Sequence, residues 1–390
     1  MEYDIVICGG GLVGRSLACA LAKLPLQIAV IEAQSFATTH QADFDTRSFA
    51  LSYGNSLVLE RIGIWQYLAD KVTPIKTIHV SDKGHFGITR LQADEQNVPA
   101  LGYIALAPEL NQALQKALLA NTHVQVICPA KALGISFSEQ HALISLDNQQ
   151  QLKAKLVVAA DGSNSMLRQL LDIPVSHYDY GQTAIIANLG LKRSHNHTAY
   201  ERFSPKGPMA LLPLSEQRMG LVWTLNPSEV GRAMALDDQQ FLAEFQASFG
   251  YRLGKFTRIG KRFAYPLQLL QAQQLIKSRV ALVGNAAHTL HPIAGQGFNL
   301  GLRDVATLAK VLSQAQTMQQ DIGSDLVLTR YARLQAKDHR HYIQFTDGLV
   351  KLFANTNGPL VTARNAGLNA LNLFPQLKKA FTRRALGFMG

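Results

Sequence analysis

Short unbroken apolar runs punctuate the first part of the chain: YDIVIC at 3–8, LQIAVIE at 26–32, VQVIC at 124–128 and KLVVAAD at 155–161. Runs of this length without polar alternation mark strands buried on both faces. Between the first two, LVGRSLACALAKL has apolar residues at helical spacing, so residues 1–32 read as strand, glycine turn, helix, strand. TIHVSD at 77–82 and ALISL at 142–146 predict further strands. PELNQALQKALLA predicts a helix whose Pro108 and Glu109 suit a first turn.

From Gln182 to about Tyr265 the character changes to strand-like segments, TAIIANLGL, AYERF, PMALLPL and MGLVWTL, separated by turns such as SPKG and SEQR. These predict an antiparallel sheet beside the first unit. One helix, DDQQFLAEFQASFG, interrupts it, with an Asp N-cap and a closing Gly250. RVALVGNAAH then restores the pattern of a buried strand followed by glycine, and residues 324–390 read as helices throughout.

At 390 residues, 47% hydrophobic and 17% charged, the chain is long enough for two packed domains and is ordinary for a globular protein. The net charge of +11 is scattered except in QLKKAFTRRALGF near the C-terminus, and no zinc-finger or RNP pattern accompanies it, which argues against nucleic acid. Cys8, Cys19 and Cys128 form no CxxC pair and are expected as buried free thiols in a reducing compartment. With no signal-peptide pattern and no apolar run of spanning length, a cytoplasmic location is expected.

Gly9, Gly11 and Gly14 form a G-x-G-x-x-G that follows a strand and opens a helix. The first glycine permits the tight turn, the second lets the backbone approach a pyrophosphate, and the third lets helix and strand pack closely. Glu32 ends the next strand, where a carboxylate accepts from a ribose 2'-OH and repels a 2'-phosphate, so this turn suits FAD or NAD over NADP. A second glycine cluster, GNAAHTLHPIAGQGFNLGLRD, spans Gly284–Asp304: a strand delivers Asn285, Pro292 turns the chain, and GQGFNLG opens a helix. Backbone amides around Gly295, Gln296 and Gly297 point at an electron-rich group, such as the edge of a flavin ring.

In this order, GGGLVG with Glu32, then AADGSNSMLR, then GNAAHTLHPIAGQGFNLGLRD, the chain resembles the class A FAD-dependent aromatic hydroxylases of the para-hydroxybenzoate hydroxylase type. Within them it is similar to the ubiquinone-biosynthesis hydroxylases, with matching stretches in FDTRSFALS, HVSDKGH, ERFSPKGPMALLP and GLVKLFAN. The resemblance covers almost the whole length. It implies an α/β fold: a discontinuous Rossmann-like FAD-binding domain from 1–75, 100–181 and 270–350, an antiparallel β-sheet substrate domain from 76–99 and 182–269, and a C-terminal helical segment, 351–390. It also implies FAD held by Gly9, Gly11, Gly14 and Glu32, with Arg47 near the pyrophosphate and flavin and Asp161 and Gly162 shaping the FAD and NAD(P)H region. Gly295, Gln296, Gly297 and Asn299 would then lie beside the isoalloxazine, and Gln112 would touch the ribityl chain. The family usually carries Asp where this chain has Asn285, which keeps an acceptor oxygen and drops the charge.

The implied reaction uses NAD(P)H and O2, through a flavin C4a-hydroperoxide, to hydroxylate a polyprenylated phenol, 2-polyprenyl-6-methoxyphenol, para to its hydroxyl. Alternatives are another ring position, another phenol, or a non-catalytic FAD-stabilised subunit of a biosynthetic complex. Tyr200, Glu201, Arg202 and Trp223 lie on strands of the substrate domain, where alternation decides which face the ring, so the sequence identifies no base. His288 and His291 stand three apart without a Cys or carboxylate at ligand spacing, so no metal is expected. Lys378, Lys379, Arg383 and Arg384, interleaved with Leu377, Phe381, Leu386 and Phe388, form an amphipathic pattern suited to an exposed face, a membrane surface or other ubiquinone-biosynthesis proteins.

Overall fold

The computed structural model describes every residue except 36–42, 216, 290–295, 355–357 and 388–390. At the centre of the first sheet, Glu2–Cys8 lies parallel to Gln151–Ala159 on one side and Ile28–Ile31 on the other. Val280–Leu282 and Val124–Ile127 extend it in parallel, and Ala142–Leu146 and Ala132–Phe137 add an antiparallel margin. Ile5 and Ile7 pack into one core with the helices Leu12–Leu21 and Gln296–Thr317, while Val6 and Val157 pack into a second core on the opposite face. Burial on both faces is why these strands read as unbroken apolar runs.

The second sheet is built on the strand Val175–Leu191, which is continuous across the expected boundary at 181. It pairs with Phe263–Ala272 and Arg218–Leu225, and the sheet continues through Met209–Pro213, Thr198–Phe203, Thr77–Asp82 and Ile88–Gln92. The expected antiparallel order holds for these pairs except one: Thr198–Phe203 runs parallel to Thr77–Asp82. Tight turns impose antiparallel pairing on sequence neighbours, but Thr77–Asp82 arrives from far upstream through a long connection and is free of that constraint.

Strand alternation gives this sheet two different faces. Ile185, Leu211, Leu221 and Trp223 pack against the helix Asp238–Phe249, where Trp223 meets Phe241 and Phe245 edge-on with ring centroids 5.4 Å apart in each pair. That helix starts as expected, with a capping box in which the Asp237 carboxylate accepts from Gln240 N at 2.8 Å. A second helix, Pro227–Ala235, precedes it; Gly231 in its middle weakens its helical signal. On the opposite face, Ala199 and Leu212 pack with Ala50, Ile75 and Ile104 of a small sheet formed by Ser48–Ser52, Gly102–Leu106 and Thr73–Ile75. This small sheet fills the space between the two large layers.

Helices Asp325–Ala354, Gly358–Leu373 and Pro375–Ala385 close the chain as expected. Arg364 and Asn365 reach back to the buried carboxylate of Asp82, fastening the C-terminal helices to the second sheet. Among the described residues, no helix is long and apolar enough to cross a membrane. Cys8 and Cys19 are buried free thiols pushed well above their ordinary range by burial, whereas Cys128, at the end of its strand, is only half-buried.

Phe245→Ala empties an aromatic cluster on the face turned away from the first sheet. The expected loss is about 3–5 kcal/mol of unfolding free energy, read by denaturant titration.

Candidate flavin site

The first glycine turn fits only glycine at two of its three positions. Gly9 has a φ of +108°, and a Cβ there would stand 2.3 Å from Ala160 O; at Gly14 it would stand 1.9 Å from Gly9 O. Gly11 is different, because a Cβ there would meet nothing within 4 Å. The helix Leu12–Leu21 begins at this open position with no side-chain cap, so its first N–H groups face the opening. That is the geometry of an anion site at a helix N-terminus. Glu32 closes the turn, its carboxylate accepting from Gly10 N at 2.7 Å and from Gln34 N at 2.8 Å. Each oxygen keeps a further lone pair for a ribose hydroxyl.

Asp161 and Gly162 follow the strand Gln151–Ala159 directly. Asp161 Oδ2 accepts from Leu167 N at 3.2 Å, while its buried Oδ1 has no hydrogen-bond partner among the described residues. A buried acceptor left open in this way calls for a ligand donor. Gly162, at φ +87°, borders open space where a Cβ would meet nothing. Buried Arg168 donates to Ser163 O at 2.7 Å and to Ala286 O at 3.1 Å, joining this stretch to the second glycine cluster. Its role was not apparent in the sequence, where it reads as the end of AADGSNSMLR.

The two glycine clusters meet at Val13. A Cβ on Gly284 would stand 3.0 Å from the Val13 side chain, and one on Gly301 would stand 2.6 Å from it, so both must be glycine for the first helix to seat. Asn285 is exposed beside this contact, its Oδ1 3.6 Å from where a Gly297 Cβ would be. Gln296 opens the helix Gln296–Thr317, and Pro292 and Gly295 lie outside the described residues. The Asn299 side chain accepts from Ser52 N at 3.0 Å and from Asn55 Nδ2 at 2.7 Å, and donates to Ala50 O at 2.7 Å. It therefore staples the helix start to the small sheet. Arg47 ends the segment leading into that sheet, its guanidinium 5.0 Å from the Phe49 ring, and Phe49 meets Phe298 edge-on. Gln112 Oε1 accepts from Lys71 Nζ at 2.7 Å, while neighbouring Asn111 is bound by buried Arg15 from the first helix.

Behind the cluster sits a buried hub. Asp304 Oδ2 accepts from Gly284 N and from His288 Nε2, each at 2.7 Å, and Oδ1 accepts from His339 Nε2 at 2.7 Å and from Gln335. Burial alone would raise this carboxyl, but the facing His288 and His339 outweigh it and hold the group well below the usual carboxylate range. His288, Asp304 and His339 bring three ligand atoms within 4.8 Å. Both imidazoles face the carboxylate through Nε2, which makes the group a buried hydrogen-bonded cluster around Asp304.

The open face at Gly11, the uncapped helix start and the orphaned Asp161 acceptor fit a dinucleotide such as FAD. Alternation also decides the residues on the second sheet. Tyr200 and Trp223 pack toward the helix Asp238–Phe249, whereas Glu201 lies on the face shared with Ala199, the one that meets the small sheet.

Gly14→Ala forces a side chain onto Gly9 O. FAD affinity should fall about tenfold or more, the equivalent of about 1.4 kcal/mol, read as lost flavin absorbance after dialysis. Asp304→Asn places an amide donor against donors and should cost about 3–5 kcal/mol in denaturant unfolding. Because the folded-state value is depressed, this stabilisation is present above the ordinary Asp value of about 3.9 and fades as pH falls below it. The variant's stability should therefore depend less on pH between about 5 and 2 than the wild type's.

The FAD binding domain family matches residues 2–334. Over 385 residues the chain is 37% identical to the ubiquinone hydroxylase UbiL of Rhodospirillum rubrum, covering 98% of this chain and 89% of that one. It is 32% identical to the 3-demethoxyubiquinol 3-hydroxylase of Escherichia coli, covering 98% of each. Its fold is similar to that of p-nitrophenol 4-monooxygenase PnpA from Pseudomonas putida, with a TM-score of 0.79 at 17% identity over 99% of this chain and 97% of that one. PqsL from Pseudomonas aeruginosa superposes with a TM-score of 0.78 at 20% identity, over 95% of this chain and all of that one. The chain thus belongs to the FAD-binding aromatic monooxygenases, in the family of the ubiquinone hydroxylases.

Proposed function

We propose that the protein hydroxylates the ring of a polyprenylated phenol in ubiquinone biosynthesis, acting on 2-polyprenyl-6-methoxyphenol para to its hydroxyl, with NAD(P)H and O2 as co-substrates. The observation that carries this reading is the junction at Val13, where the pyrophosphate-type turn and the second glycine cluster meet, the second cluster being tied through Asn299 to the small sheet that packs on one face of the second sheet. FAD, when bound, supplies the activation of O2. The first helix and Glu32 would hold its adenosine and pyrophosphate end, with Arg47 nearby. Asp161 Oδ1 and Asn285 would take hydroxyls of the chain between pyrophosphate and ring, and Gly297 would let the ring approach the helix start. Ala184, Ala210, Val222 and Leu267 form an apolar patch on the same sheet face as Glu201. Such a wall holds an aromatic ring by burial and keeps water from diverting the reaction.

A second reading shifts the ring position. It is favoured by the Escherichia coli relative, whose name places its hydroxylation at carbon 3 of a demethoxyubiquinol. The exposed Leu373, Phe374 and Leu377 beside Lys378 and Lys379 support peripheral contact with a membrane, where such substrates reside.

Purified FAD-loaded protein should consume NADH or NADPH faster in air when 2-polyprenyl-6-methoxyphenol is present, with a product heavier by one oxygen. Position-resolved NMR of that product separates the two readings. Absence of an oxygenated product from either the methoxyphenol or a demethoxyubiquinol-type substrate would reject both.

A further inference from the structure

On the strand Thr198–Phe203, Ala199, Glu201 and Phe203 share one face. Ala199 packs with Ala50 and Ile104 of the small sheet, and Phe203 packs with Leu368 of the helix Gly358–Leu373. Glu201 stands between these two contacts. Register sets Val80 and then Thr89 on one side of it and Ala210, Val222 and Ile186 in line on the other, so among the described residues it is the only ionisable group in that row. Its side chain is half-buried, which leaves it within reach of a ligand.

No hydrogen-bond donor or cation meets the Glu201 carboxylate among the described residues. The nearest charges on its face by register are already engaged: Asp82 is held by Arg364 and Asn365. Arg47, at the edge of the small sheet, stacks on Phe49, and that sheet together with the start of helix Gln296–Thr317 presents the uncharged Ser48, Ala50 and Asn299. Arg202, Arg90 and Arg252 lie with His79 and Tyr200 on the other face. A half-buried carboxylate without a partner is unfavourable and does nothing for the fold, so its use lies with a ligand.

Resting on the function proposed above, we propose that Glu201 is the catalytic base that takes the hydroxyl proton of the phenol. The phenol O–H bond breaks, the proton passes to a Glu201 oxygen, and the electron pair stays on the phenol oxygen, enriching the carbons ortho and para to it. One atom of O2 is then inserted at the ring carbon and the other leaves as water, the two electrons coming from NAD(P)H. Loss of the proton from that carbon restores the aromatic ring.

Burial, with no charged partner, pushes the Glu201 carboxyl up to about 8. That brings it from the ordinary value of about 4.3 toward the value of about 10 for a phenol, and places it near the working pH, where a general base is most effective.

The test compares wild type, Glu201→Gln and Glu201→Asp, with flavin content and circular dichroism as checks of folding. Oxygenated product per NAD(P)H consumed and product rate are measured from pH 6 to 9. Ionisation of the bound phenol is followed by its ultraviolet difference spectrum with the oxidised protein. The wild-type product rate should rise with pH through about 8. In Glu201→Gln it should fall at least about 100-fold, with NAD(P)H diverted to H2O2, the pH dependence lost and the phenolate signal absent; Glu201→Asp should recover part of each. A Glu201→Gln protein with wild-type product rate and pH profile overturns the assignment. If wild type makes no product, the functional reading fails instead, and the assignment is then judged by the phenolate signal: the same signal in wild type and Glu201→Gln overturns it.

Discussion

The Asp304 carboxylate organises the flavin end of the molecule. It lies in the helix Gln296–Thr317 and accepts hydrogen bonds from the turn at Gly284, from His288 just beyond it, and from Gln335 and His339 on the helix Asp325–Ala354. Four donors from three segments converge on one buried anion. A charge in that position is tolerated only because each of its oxygens is satisfied, and the same requirement fixes the segments relative to one another. With Gly284 so held, Val13 of the first helix can seat against it and against Gly301, which brings the two glycine clusters together. The separation of those clusters along the chain is thus closed in space by one carboxylate and one valine.

What was legible in the sequence follows from local rules. Ile5, Val6 and Ile7 are buried on both faces and read as an unbroken run; Asp237 and Gly250 mark their helix by the chemistry of its ends; Gly9 is required by its positive φ and Gly14 by its contact with Gly9 O within the same turn. The small sheet of Ser48–Ser52, Thr73–Ile75 and Gly102–Leu106 was not legible, because its strands are short and their pairing is non-local. The parallel pairing of Thr77–Asp82 escaped notice for the same reason. Asp304, Arg168 and Val13 look unremarkable in one dimension: an acid on a helix, a cation after a turn, an aliphatic residue near a glycine. Their roles arise from partners more than a hundred residues away in the case of Arg168 and Val13, and on another helix in the case of Asp304.

Asn299 and Gln112 teach a related lesson. Both stand in segments that carry the family resemblance, yet the Asn299 amide is committed to Ala50 O, Ser52 N and Asn55, and the Gln112 carbonyl to Lys71. Asn299 can still serve the flavin edge indirectly, by fixing where the helix start points. Among the described residues of this cluster, Asn285 is exposed and adjacent to Gly297, which leaves its amide open to direct contact.

The second sheet shows how one alternation divides structure from chemistry. Tyr200, Leu211 and Trp223 spend their surface on the helix Asp238–Phe249, and the aromatic contacts there make that face rigid and dry. One residue along, the same strands present Glu201, Ala210 and Val222 to the other side. A carboxylate on the first face would have to be paired or lost. On the second it can remain unpaired only where a ligand with its own proton meets it, which makes the register of Thr198–Phe203 a functional constraint as well as a structural one.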